Sequence, residues 1–179
     1  MRLLSRVVLS LAGAVMLGGC SAPAKTDGAT IWPADATMLT ADMTGNAWEP
    51  SQPAPGSECQ GDNHYTLDIK TRAFTSSRCV LGATPEVPLK KVTSSRVLSS
   101  AEAESVETAM KALVLTQTET CGADKPSLSV KVTTPRDANK YYDGFYICHG
   151  DYKQRMGITA YVDHIDGVFD ALNKLAPVP

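Results

Sequence analysis

The chain has 179 residues, 43% of them apolar and 20% charged, with 17 basic against 19 acidic side chains. That balance suits one globular domain and excludes wholesale disorder. It also argues against nucleic acid as a partner, because phosphate binding needs a basic surface.

At the N-terminus, Arg2 and Arg6 precede an apolar run, VVLSLAGAVML, that is too short to span a bilayer comfortably. The run ends in Leu17-Gly18-Gly19-Cys20. These residues resemble the lipobox of bacterial lipoproteins, a Leu and two small residues before a Cys. The resemblance implies that residues 1–19 are a signal peptide, cut away by lipoprotein signal peptidase, and that the Cys20 thiol carries a diacylglyceryl group. Acyl chains bind a membrane through burial of their CH₂ groups, and two or more make the anchor stable. The implied location is the bacterial cell envelope, with Ser21 directing the protein to the outer membrane if the cell has one. Loss of Arg2 and Arg6 would leave 15 basic and 19 acidic residues, a net charge of −4. The competing reading is an ordinary secretory signal followed by an incidental Cys.

Residues 20–36 are small and polar and read as a flexible tether. Thr37 to Met43 is the first candidate strand, with Leu39, Ala41 and Met43 on one side. A proline-rich loop follows Trp48. Trp32 and Trp48 either pack on the domain or lie at a partner surface. Between Cys59 and Cys79, Tyr65, Leu67 and Ile69 alternate with polar residues, Thr71-Arg72 supplies a turn, and Ala73 to Val80 returns. Leu89 to Leu98 is a further β-branched strand.

A helix is predicted from Ser100 to about Leu115. Ser99 and Glu102 have capping-box spacing, and Ala103, Val106, Ala109, Met110 and Leu113 make one apolar face. After Cys121, Leu128, Val130 and Val132 alternate as in a strand. A turn near Asp137 to Asn139 leads back along YYDGFYIC to Cys148. Gly157 to Val162 reads as a short strand. Asp163 then reads as the N-cap of a last helix, with Asp166 at the capping-box position and Ile165, Val168, Phe169, Leu172 and Leu175 on one face. Pro177 stops it.

The expected fold is α+β: an antiparallel sheet of about five to six strands, two helices on one face, residues 37–177 as one domain, and two disulfides. Four cysteines remain after Cys20, and an exported chain favours pairing them. Of the three connectivities, Cys59–Cys79 and Cys121–Cys148 are favoured, because each pair brackets a hairpin. The segments CGADKPSLSVKV, YYDGFYIC and YVDHIDGVFDALNKL resemble a pattern in uncharacterised secreted bacterial domains. That resemblance implies one exported domain and no particular chemistry.

Motifs for catalysis are lacking. There is no Gly-x-Ser-x-Gly elbow, no His-Glu-x-x-His and no phosphate-cradling Gly-rich loop. The reading is therefore a non-enzymatic binding or structural module with no cofactor and no metal. Its partners would be the membrane, through the lipid, and another envelope protein or polymer. Tyr141, Tyr142, Phe145 and Tyr146 form an aromatic run whose alternate members face opposite sides of a strand, so half of them read as core. The favoured reading for the run is core and cross-strand packing, with a binding surface as the alternative for the other half. The alternatives are a small hydrolase built on His64, His149 or His164, and a protease-inhibitor-like module. His149, Asp151, Asp163, His164 and Asp166 have metal-binding atoms, but their spacing matches no ligand motif.

Overall fold

A computed structural model describes residues 31–45, 53–80, 84, 86–116, 125–145 and 157–176. In chain order the elements are β1 (Met38–Thr44), β2 (Asn63–Asp68), β3 (Ala73–Val80), β4 (Lys90–Val97), α1 (Ser100–Lys111), β5 (Val114–Leu115), β6 (Ser127–Thr133), β7 (Ala138–Asp143), β8 (Ala160–Asp163) and α2 (Ile165–Leu175). The fold is α+β. The strands form one sheet in the order β4-β3-β2-β1-β6-β7-β8-β5.

Alternation explains why the two faces differ. Leu39 and Ala41 of β1, Tyr65 and Leu67 of β2, and Val130 and Val132 of β6 point to one side and are buried there. The helices lie on that side. From α2, Ile165, Val168, Phe169, Leu172 and Leu175 are all buried, as their three- and four-residue spacing requires. Val106 and Met110 do the same for α1. Phe169 meets Tyr65 edge-on at 6.2 Å between ring centres, and Tyr65 Oη donates to Asn173 Oδ1 at 2.5 Å, so the ring's polar end is also held by α2.

The opposite face carries hydroxyls. Cross-strand pairing sets Lys131, Thr40, Thr66, Thr75 and Ser95 in one row across five strands. Near its far side Tyr142, Ile158 and Tyr161 make a small separate cluster.

Several expectations need correction. Among the described residues the sheet has eight strands, not five to six, and it is mixed: β7 and β8 run parallel. The 16 residues between them are long enough for the crossover that parallel neighbours need. The first helix ends at Lys111 rather than near Leu115. The chain turns at Ala112 and Leu113, and Val114 and Leu115 pair with Asp163 and Val162. The second hairpin turns at Thr134–Asp137, where Thr134 N–H donates to Asp137 O at 2.8 Å and Pro135 sits in the position proline favours. β7 therefore ends at Asp143, well short of Cys148.

Asp163 does not cap α2. It is the last residue of β8, and its carboxylate accepts from Thr116 Oγ1 at 2.8 Å. His164 takes the N-cap position in a left-handed conformation, φ 68°, with no side-chain cap. The stretch expected to be tether already contributes Ile31 and Trp32 to the core. One of the two expected disulfides is present, Cys59–Cys79, with Cα atoms 5.8 Å apart. Cys121 and Cys148 lie outside the described residues, as do Cys20 and Trp48.

The capping box of α1 forms as expected: Glu102 N–H donates to Ser99 Oγ, and Ser99 N–H donates to the Glu102 carboxylate. Arg96 also donates to Glu102, at 2.9 Å. The Arg96 bond, with help from Ser99, lowers the Glu102 pKa from the ordinary 4.5 to about 2. A lowered carboxyl pKa stabilises the fold above 4.5 and loses that contribution as pH falls toward 2. Wild type and Glu102→Gln, compared by urea denaturation, should differ at pH 6 and converge as the pH approaches 2.

Candidate functional site

The described residues enclose a cleft of about 410 Å³ between α1 and the β2–β3 turn. Its floor is apolar. Trp32 and Leu67 are buried there, and Ile69 is half-buried beside them. One wall is a stripe of α1, in which Ser100, Glu104, Thr108 and Lys111 recur at three- and four-residue steps with Ala103 and Glu107 beside them. Arg72 completes the rim from the turn.

Local chemistry places each rim group. Asp68 Oδ1 accepts from Thr71 N–H at 2.7 Å and tightens the hairpin turn. Arg72 follows at φ 59°, a left-handed conformation that costs a non-glycine residue about 1–3 kcal/mol. From there its Nη1 donates to Ser100 Oγ at 2.5 Å across the cleft. Glu107 is held by Lys111 at 2.7 Å, an i,i+4 pair. Among the described residues, Arg72 and Glu104 make no ion pair, so the rim offers one open cation and one open anion.

A second polar cluster lies at the C-terminal ends of β7 and β8. Lys125 Nζ is 2.6 Å from both Asp143 Oδ2 and Asp166 Oδ2, and stands 5.8 Å over the Phe145 ring. Burial works against the ammonium, but the hydrogen bonds it donates to Asp143 and Asp166 outweigh that and raise its pKa above the ordinary 10.5. The arrangement clamps the start of β6 to the start of α2. Close by, Gly144 N–H donates to Val162 O at 2.8 Å. A Cβ at Gly144 would overlap Thr116 Oγ1 and lie 2.5 Å from Asp163 Oδ1. Gly144→Ala should therefore break the Thr116–Asp163 bond and destabilise the domain by about 2 kcal/mol. A fall in urea midpoint with an unchanged slope is the expected readout.

The residues singled out from sequence fall in different places. Tyr141 is buried in the main core, and Tyr142 is buried on the opposite face, its hydroxyl hydrogen-bonded to Ser127. Phe145 is half-buried under Lys125, and Tyr146 lies outside the described residues. Tyr141 and Tyr142 thus share no exposed surface. Of the candidate metal set, Asp163 is bound by Thr116, Asp166 by Lys125, and His164 is exposed, while His149 and Asp151 lie outside the described residues. Among the described residues no group of three or more His, Cys, Asp or Glu is placed to hold a metal ion. His64 Nδ1 is 2.6 Å from Asp42 Oδ1, and His64 faces Ser77 across the β2–β3 pair. That constellation stands in water on the hydroxyl-rich face.

Sequence reasoning missed the cleft. Trp32 lies in the stretch read as tether, and Ser100, Glu104 and Lys111 fall outside the apolar face by which α1 is recognised. The available signal was the i,i+4 polar stripe next to a turn residue that is neither Gly nor Asn. The chain matches no protein-family model, no curated protein and no solved structure.

Proposed function

We propose that this chain is a lipid-anchored cell-envelope protein whose single domain is a binding module, with the α1 cleft as its ligand site. The anchoring reading rests on the lipobox and on the small polar residues after it. The observation that carries the binding reading is the cleft itself. Its volume lies in the range of small-ligand sites, roughly 300–1,000 Å³, and an apolar floor under a few convergent polar groups is the usual form of such sites. The chain enters the domain at this cleft, since Trp32 is part of its floor.

Mass spectrometry of protein extracted from membranes should show an N-terminal, acylated Cys20. Cys20→Ala should release the domain from membranes or leave the precursor uncleaved. An unmodified Cys20 in membrane-extracted protein would overturn the anchoring half. The Asp42–His64–Ser77 constellation favours a second reading, ester or amide hydrolysis. Its position on a flat, wet face supplies no wall to exclude water from a reacting group. Turnover of a chromogenic ester that disappears in His64→Ala would displace the binding reading.

A further inference from the structure

We infer that the α1 cleft recognises a short peptide by its two free ends, with the α-carboxylate on Arg72 and the α-ammonium on Glu104. This rests on the reading of the cleft as the ligand site. The first observation is charge. Four charged residues line the cleft: Arg72, Glu104, Glu107 and Lys111. Glu107 and Lys111 neutralise each other, which leaves one cation and one anion open to a ligand. A zwitterion complements that pair, whereas a simple anion or cation would meet the opposing like charge on the same rim.

Spacing then selects the size. Arg72 is docked on Ser100, and Glu104 lies four residues further along α1. Four residues of helix advance about 6 Å. Two residues of extended peptide span about 7 Å. A free amino acid carries both charges on one α-carbon and does not cover a helical turn, while a dipeptide does. The floor adds the third element. Trp32, Leu67 and Ile69 line the same cleft as the two charges, so apolar side chains on the peptide would meet apolar groups there. Arg72 fits the role on its own account. Its backbone is held in a left-handed conformation that its side chain type does not favour, and strain of this kind collects at ligand clamps. A planar fork of donors is also the group best matched to a carboxylate.

The test uses the purified mature protein, labelled with ¹⁵N, and Leu-Leu as the probe. Its N-acetyl, C-amide and doubly blocked forms are titrated in parallel. Leu-Leu should shift the Trp32 indole and the Ala103 and Thr108 amides in a saturable way. Blocking either end should weaken binding by up to about fivefold, the upper range of an exposed charge pair. Arg72→Gln should bind Leu-Leu and its C-amide equally, and Glu104→Gln should bind Leu-Leu and its N-acetyl form equally. A merely structural role for either residue would not produce that crossed pattern. If the doubly blocked peptide shifts the same resonances with equal affinity, recognition of the ends is overturned and the ligand-site reading stands. If none of the four peptides shifts these resonances at millimolar concentration, both are overturned.

Discussion

Phe169→Ala is expected to destabilise the domain by about 3–5 kcal/mol, the usual loss for emptying a fully buried aromatic site. Phe169 is 2% exposed and belongs to the main core between α2 and the sheet. Its ring meets Tyr65, which in turn stacks beside Phe74 at 6.3 Å. The three rings span α2, β2 and β3, so removing the first leaves a void against Tyr65, whose other side is held by Phe74. Tyr65 would also lose the packing that aims its hydroxyl at Asn173. A domain of this size has about 5–15 kcal/mol in total, so the variant should be partly unfolded near 37 °C. Phe169→Leu fills most of the void and should retain more than half of the lost stability. Urea denaturation followed by far-UV circular dichroism checks both. Equal midpoints for wild type and Phe169→Ala would show that α2 does not hold the sheet through this ring.

Replacing both Cys59 and Cys79 by Ala should cost about 2–5 kcal/mol. The bond closes a loop with a sequence separation of 20, and release of that loop in the unfolded chain accounts for about 3 kcal/mol in the chain-entropy model. Its structural effect is local. Cys79 sits on β3, where its N–H donates to Asn63 Oδ1 and its sulfur accepts from Gly61 N–H. Cys59 belongs to the segment just before β2. In that segment Ser57 Oγ accepts from Leu89 N–H, and Glu58 N–H donates to Leu89 O. Glu58 also accepts from Lys90 Nζ and Lys91 N–H, and these bonds lower its pKa. The disulfide thus holds a short strip of chain against the start of β4, an outer strand of the sheet. Without it that strip should lift, and β4 should present more unpaired backbone to other molecules. The double variant should therefore aggregate faster at equal concentration as well as unfold at lower urea. Light scattering during thermal denaturation measures the first effect directly.

Much of the fold was legible because local periodicity carries it. The buried face of α2 follows from Ile165, Val168, Phe169, Leu172 and Leu175 alone, and the Ser99–Glu102 box marked the start of α1 correctly. The Cys59–Cys79 hairpin was legible for the same reason: its alternation and its turn are both local. What failed depends on contacts between distant parts. Asp163 has the composition of an N-cap, but Thr116, 47 residues earlier, competes for its carboxylate and wins. Val114 and Leu115 continue an apolar helical pattern, yet pair with β8 once the chain has turned. Strand order is of this kind too, since no local rule places β1 between β2 and β6. The cleft was least legible. Arg72 and Glu104 are ordinary polar residues in their own segments, and only the packing of α1 against the hairpin puts them on one rim.

The proposed anchoring through the N-terminus gives the central place of β1 a mechanical consequence. β1 pairs with β2 through six residues and with β6 through seven. On the proposed anchoring through Cys20, a pull transmitted from the membrane meets the packed Ile31 and Trp32 first and then runs along β1 from Met38. A load on an outer strand would peel the sheet one bond after another. A load along β1 must shear two ladders at once, with Trp32 and Ile31 packed in the core ahead of them. On that anchoring the outer strands carry little of the force, whereas Trp32, on the floor of the α1 cleft, lies directly in its path.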